Sequence, residues 1–158
     1  MRDSTLVISA FIALVLLGVF WYGASSIRSA NGAGVAFTEL ASGQQSSVTT
    51  RENYLITSDT QLEKLWGLVE TSEPLPSIDF TKESVIVAFA GEEPTAGYSI
   101  GVMKITDTGE RMVTIQLTAP GPSCSVAEVV TAPYQILSIP KTDLTLAHED
   151  VMTTTSCI

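Results

Sequence analysis

A chain of 158 residues that is 45% hydrophobic has room for one domain with a real core and an additional N-terminal piece, whereas two domains would be crowded. Its formal net charge of -9, with 8 Lys and Arg against 17 Asp and Glu, argues against nucleic acid, because phosphate binding needs clustered cations. An acidic, solvated surface accounts for the charge, and neither a repeat of solenoid period nor a long low-complexity tract is present.

The N-terminal piece comes first. Between Ser4 and Ile27 there is no charged residue, and TLVISAFIALVLLGVFWYG is apolar over a length that crosses a bilayer as a helix. Residues 1–24 are therefore expected to be a transmembrane anchor or uncleaved signal, in the membrane through residues 5–24, with Trp21 and Tyr22 at the interface. A cleaved signal peptide is the competing reading, since small residues follow in GASS and SANGAG. Arg2 and the terminal amine oppose only Arg28, which leaves the bulk of the chain on the extracytoplasmic side. Secretion after cleavage would place it there too. Residues 25–34, SSIRSANGAG, read as a flexible tether, and the folded domain is expected over 35–158.

Within that domain VAFTEL and ENYLIT are short strand candidates. From Ser58 to Glu70 the period changes to that of a helix, with Leu62, Leu65, Trp66 and Val69 on one face. Ser58 and Gln61 have the spacing of a capping box, Asp59 suits the positive end of the helix dipole, and the prolines of SEPLPS stop the helix. Trp66 is expected to seal the helix onto a sheet. SVIVAFA is apolar on both faces, as in a central strand covered on both sides. GEEPTAG leads into a strand from Ser99 to Ile105, and TDTGE supplies a hairpin turn. The next strand alternates, Val113, Ile115 and Leu117 against Thr114, Gln116 and Thr118. PGPSC is a loop, VAEVV and YQILSI are further strands, and LTLAHEDVMTTTSC is a last strand interrupted by a solvated bend near His148. The fold class is α+β, mostly antiparallel β as a small barrel or sandwich, with one packed amphipathic helix.

Few residues offer chemistry. Cys124 and Cys157 are the only cysteines, and outside the cytoplasm they are expected to form a disulfide. A closed loop of roughly thirty residues contributes about 3–4 kcal/mol by restricting the unfolded chain. Two separated cysteines and one histidine make neither a redox motif nor a zinc site. His148, Glu149 and Asp150 are consecutive, so a strand would point them to opposite faces. Spacing alone leaves open a triad of His148 with Ser123 or Ser125, but GxSxG is absent. Glu92 and Glu93 are neighbours on a turn rather than acids facing across a cleft. No catalytic residue, metal, cofactor or small-molecule substrate is expected.

SIDF, SVIVAFAG, EEPTAGYSI, APGPSC and TAPYQILSIPK in succession resemble the PrcB C-terminal domain family, named after a subunit of a bacterial surface protease complex. The positions that carry the likeness are Asp79, Phe80, Gly91, Thr95, Gly97, Tyr98, Ile100, Pro120, Gly121, Pro133 and Tyr134. Ala96 stands where the family often has a second Gly, which implies that position 96 does not need positive φ. The resemblance implies an extracytoplasmic binding or assembly module whose partner is a protein, with a secreted or surface protease as the expectation. Pro94, Thr95, Gly97, Tyr98, Pro133 and Tyr134 would be its contact surface. EPTAGY is also similar to a loop of chagasin-type peptidase inhibitors, with Glu93 in place of an Asn, so direct inhibition through Glu93 to Tyr98 is the alternative. Tyr98 packed onto the core is the competing assignment for that residue.

Overall fold

The computed structural model describes residues 34–157. The expected transmembrane helix, and the tether up to residue 33, lie outside the described residues. Among those residues no helix is long and apolar enough to cross a membrane.

Among the described residues seven strands and one helix follow in the order β1 (Thr38–Gly43), β2 (Glu52–Ile56), α1 (Asp59–Trp66), β3 (Glu83–Phe89), β4 (Ser99–Asp107), β5 (Arg111–Pro120), β6 (Tyr134–Pro140) and β7 (Leu146–Thr155). They form a four-stranded sheet, β1-β6-β3-β2, and a three-stranded sheet, β4-β5-β7. Every pair is antiparallel except β5 with β7. The sheets stack as a sandwich, and neither closes into a barrel.

The apolar run of β3 is explained by its place in the middle of three layers. Val85, Val87 and Phe89 pack with Ile56, Leu62, Leu65 and Ile136 on the helix side. Ile86, Ala88 and Ala90 pack with Ile100, Val102, Ile105, Val113, Ile115 and Leu117 on the side of the second sheet. Covering both faces removes the need for polar alternation. β5 has one covered face, and there Val113, Ile115 and Leu117 are buried while the threonines and Gln116 between them are half-buried. In β4 the buried residues are Ile100, Val102 and Ile105, which breaks the period of two. A register shift between Val102 and Lys104 adds one residue, so Met103 turns outward and Ile105 regains the core.

Gln135, on the face of β6 toward the second sheet, completes that bulge. Its Oε1 accepts a hydrogen bond from Val102 N at 2.6 Å, and its Nε2 donates to the Glu39 carboxylate at 2.5 Å. β5 and β7 run parallel because β6, a strand of the other sheet, serves as the crossover that a parallel pair requires.

Five expectations are corrected. The first strand begins at Thr38 rather than Val35, because Val35 N bonds to Ile105 O and the chain crosses to the other sheet before it pairs with β6. The helix ends at Trp66, with Gly67 as its C-cap. Val69 keeps its contact with the same core but does so from a bridge to Ser46, since pairing with the 45–47 segment wins over another helical turn. Ser58 makes no side-chain cap, and Gln61 Oε1 instead accepts from Thr57 N at 2.9 Å. VAEVV is not a strand: its backbone is taken up by the GEEPTAG loop, and Val129 and Val130 are exposed. No bend interrupts β7, because ten consecutive pairs with β5 hold His148 extended. Trp66 packs half-buried against the helix-side core, with Nε1 donating to Glu73 O at 3.2 Å.

Candidate functional site

GEEPTAG leaves β3 and is pinned from both sides. Ala90 N bonds to Pro133 O and Glu92 N to Thr49 O, while Glu93 and Thr131 exchange backbone bonds of 2.7 and 3.0 Å. Thr131 Oγ1 donates to Thr95 O at 3.1 Å, and Ala96 N donates to Ala127 O at 3.0 Å. The loop thus runs antiparallel to 127–131, which lays Pro94 and Thr95 alongside Val129 and Val130. Desolvation raises the Glu93 pKa above the usual carboxylate range.

Two glycines are required. Gly91 has φ 89 and a Cβ there would sit 2.9 Å from the Thr50 carbonyl carbon; Gly97 has φ 91 and a Cβ there would meet Val126 Cγ1 at 3.1 Å and Pro120 Cβ at 3.2 Å. Ala96 has negative φ, as its departure from the family pattern implies. Pro94 and Gly97 are exposed, and Thr95 and Tyr98 are half-buried. The loop is held rigidly while part of its surface stays free.

Pro133 and Tyr134 are placed differently. Both are buried, and Tyr134 is 1% exposed, its ring against Gly43 and Phe89 and its hydroxyl donating to Glu70 O at 2.9 Å. Burial raises the Tyr134 pKa. These two residues hold the sheet rather than present side chains to a partner, so the accessible part of the expected contact surface contracts to Pro94–Tyr98. Val129 and Val130 are the residues that sequence reasoning missed. Their β-branched run was the available signal, and it was read as strand.

The PGPSC loop anchors the end of β7. A Cβ on Gly121 would lie 2.2 Å from Thr155 O, so only glycine admits that backbone approach. Cys124 and Cys157 form the expected disulfide, with an S–S distance of 1.98 Å and Cα atoms 5.0 Å apart. Ser123 Oγ donates to Cys157 O at 3.2 Å. His148 lies seven pairs back along β7 from Thr155, about 20 Å on an extended strand, so Ser123 and His148 do not meet. Among the described residues no three His, Cys, Asp or Glu side chains are grouped to hold a metal.

The sandwich is open along two edges. Between β2 and β7 a cleft of about 350 Å³ has Leu55, Ile86, Val113, Ile115 and Leu146 as apolar lining, with Arg51, Asn53 and His148 among the polar residues. Arg51 spans its end, bidentate to Asp150 at 2.7 and 2.9 Å and bonded through Nη1 to Glu52 O, Asn53 Oδ1 and Phe89 O. A second cleft, between β1 and β4, is lined by Glu39, Ser42, Gln44, Ser99 and Gln135 and begins one residue after Tyr98.

Ser84 to Pro140 run through β3, the pinned loop, the β4–β5 hairpin, the PG turn and β6, and this is the segment that comparison with known families recognises. Residues 84–140 match the family described as PrcB C-terminal. The likeness read from the sequence is therefore shown over that segment, while β1, β2, α1 and β7 lie outside the match. No curated protein and no solved structure matches the chain. The matched PrcB C-terminal segment contains every glycine and proline of the loop and the PG turn, together with Thr131, whose two backbone bonds and one side-chain bond fasten the loop.

Proposed function

We propose that this protein is a membrane-anchored binding or assembly module, its sandwich domain outside the cytoplasm, that associates with a secreted or surface protease through the Pro94–Tyr98 loop. The observation that carries the reading is the loop itself. Its backbone polar groups are tied to Thr49, Ala127 and Thr131, yet Pro94 remains in solvent and Tyr98 half so. A loop already fixed in shape loses little conformational entropy when it docks, and a half-buried tyrosine offers apolar area and a hydroxyl together. The PrcB C-terminal match supports a place in a protease complex. The uncharged apolar segment through residues 5–24 supports the anchor, and the Cys124–Cys157 disulfide supports an oxidising compartment. The module acts by binding and not by catalysis, a reading supported by the separation of His148 from Ser123.

The test is photo-crosslinking of the full chain in its native membrane from a reactive residue at position 94. Recovery of a protease or of a protease-complex subunit, reduced by Tyr98→Ala, is expected. No recovered protein, or recovery indifferent to Tyr98→Ala, would remove the reading. Inhibition of a papain-like peptidase at micromolar concentration would instead give the loop the inhibitor's role.

A further inference from the structure

The segment that runs beside the pinned loop changes what the surface offers a partner. Ala127 to Thr131 is held against Glu93 to Ala96 by four hydrogen bonds: two between the Glu93 and Thr131 backbones, one from Ala96 N to Ala127 O and one from Thr131 Oγ1 to Thr95 O. Gln45 Nε2 donates to Val130 O at 3.1 Å and fixes the outer end. Although so fastened, Val129 and Val130 leave 49% and 52% of their surface in water. Pro94 stands beside them in solvent. The antiparallel Glu93–Thr131 bridge sets Pro94 across from Val130, with Val129 next to it in the chain, so three exposed apolar residues lie on adjoining, fastened segments; an apolar patch of this kind marks an interaction site when polar groups rim it.

The rim is of one sign. Glu92 and Glu93 border the face from the loop and Glu128 from the facing segment, with Glu92 and Glu128 exposed. No Lys or Arg lies in 90–103 or 112–140. Arg51, whose backbone approaches Gly91, has its guanidinium committed to Asp150, Asn53 and two carbonyls. The three carboxylates therefore have no neutralising partner on these segments, and burial raises the Glu93 pKa. An arriving cation supplies the partner these segments lack, and an arriving anion is disfavoured.

Resting on the proposed docking role of the loop, we infer that the face of Pro94, Val129 and Val130 receives a protein segment in which an apolar side chain is flanked by Lys or Arg. The apolar side chain covers the valines and the flanking cations meet Glu92, Glu93 and Glu128. The valines set how tightly the segment is held, and the carboxylates set which segments are accepted and how fast they arrive.

The probes are three synthetic peptides with a photo-reactive Leu analogue at the centre, flanked by Lys and Arg, by Ser and Gly, or by Glu and Asp. They are titrated against the full chain in non-ionic detergent, with crosslinked positions mapped by mass spectrometry. The basic-flanked peptide is expected to label 92–98 and 126–131 at least about tenfold more strongly than the acidic one, and raising the salt from about 0.05 to 0.5 M should erase most of that preference, since screening shortens sharply over that range. Glu92→Gln with Glu128→Gln should abolish the preference, and Val129→Ser with Val130→Ser should weaken labelling by all three. Equal labelling by basic and acidic peptides, labelling spread over the rest of the acidic surface, or no labelling at all would overturn the inference. If a partner crosslinks at position 94 in membranes while the peptides show no charge preference, the loop's docking role stands and only the partner's chemistry fails.

Discussion

Gly97→Ala tests whether the loop's shape is set by the backbone conformation that only glycine adopts easily. The residue has φ 91, and an L side chain in that left-handed region costs about 1–2 kcal/mol. The new Cβ would approach Val126 Cγ1 at 3.1 Å and Pro120 Cβ at 3.2 Å, closer than comfortable contact, so both neighbours must give a few tenths of an ångström. Crowding of that kind adds about 1 kcal/mol. Against these stands the lower entropy of alanine in the unfolded chain, worth about 0.4–1 kcal/mol. The net expectation is a loss of about 1–2.5 kcal/mol. Ala96→Gly, one residue away at negative φ, carries only the entropic cost of about 0.4–1 kcal/mol. Urea titration of the full chain read by pulse proteolysis measures both. A Gly97→Ala loss below about 0.5 kcal/mol, or one smaller than that of Ala96→Gly, would refute the argument that position 97 and not 96 shapes the turn.

Gln135→Leu removes the acceptor for Val102 N–H at the β4 bulge and should cost about 1–3 kcal/mol, with amide exchange at Val102 accelerated; unchanged exchange there would show that the bulge is held by other means. Gly121→Ala sets a methyl 2.2 Å from Thr155 O and should detach the end of β7, seen as fast exchange at 153–156, whereas a variant as stable as wild type would contradict the close approach. Reducing Cys124–Cys157 should lower stability by about 3–4 kcal/mol in the chain-entropy account, measured by the same titration with and without dithiol. The Arg111 hydrogen bond depresses the Asp107 pKa, so its stabilising contribution is fully present above the unfolded value near 3.9 and is lost as pH falls through the folded value. Asp107→Asn should therefore flatten the pH dependence of stability below about pH 4, and an unaltered acid limb would dismiss that pair as its source.

Much of this was legible because local chemistry and tertiary packing agreed. β3 is apolar on both faces and lies between two layers; β5 alternates and has one face covered. Gly91, Gly97 and Ala96 could be read from chain chemistry, since only the glycines take positive φ. The disulfide followed from two cysteines and a compartment argument. Legibility failed where a long-range pairing competed with a local preference. Val69 has helical spacing and strand geometry because Ser46 offers it a partner, and VAEVV has strand composition but gives its backbone to the loop. His148 looked like the tip of a bend until β5 supplied ten pairs to keep β7 straight.

By itself the sequence determined most element types, the glycine-dependent turn, the cysteine pair and the family likeness, because each depends on neighbours a few residues apart or on composition. Only the tertiary structure decided that Tyr134 lies in the core while Pro94, Val129 and Val130 are exposed on adjoining segments. Which side of a strand or loop meets water is settled by what packs against it, and for this loop the deciding neighbours are more than thirty residues further along the chain.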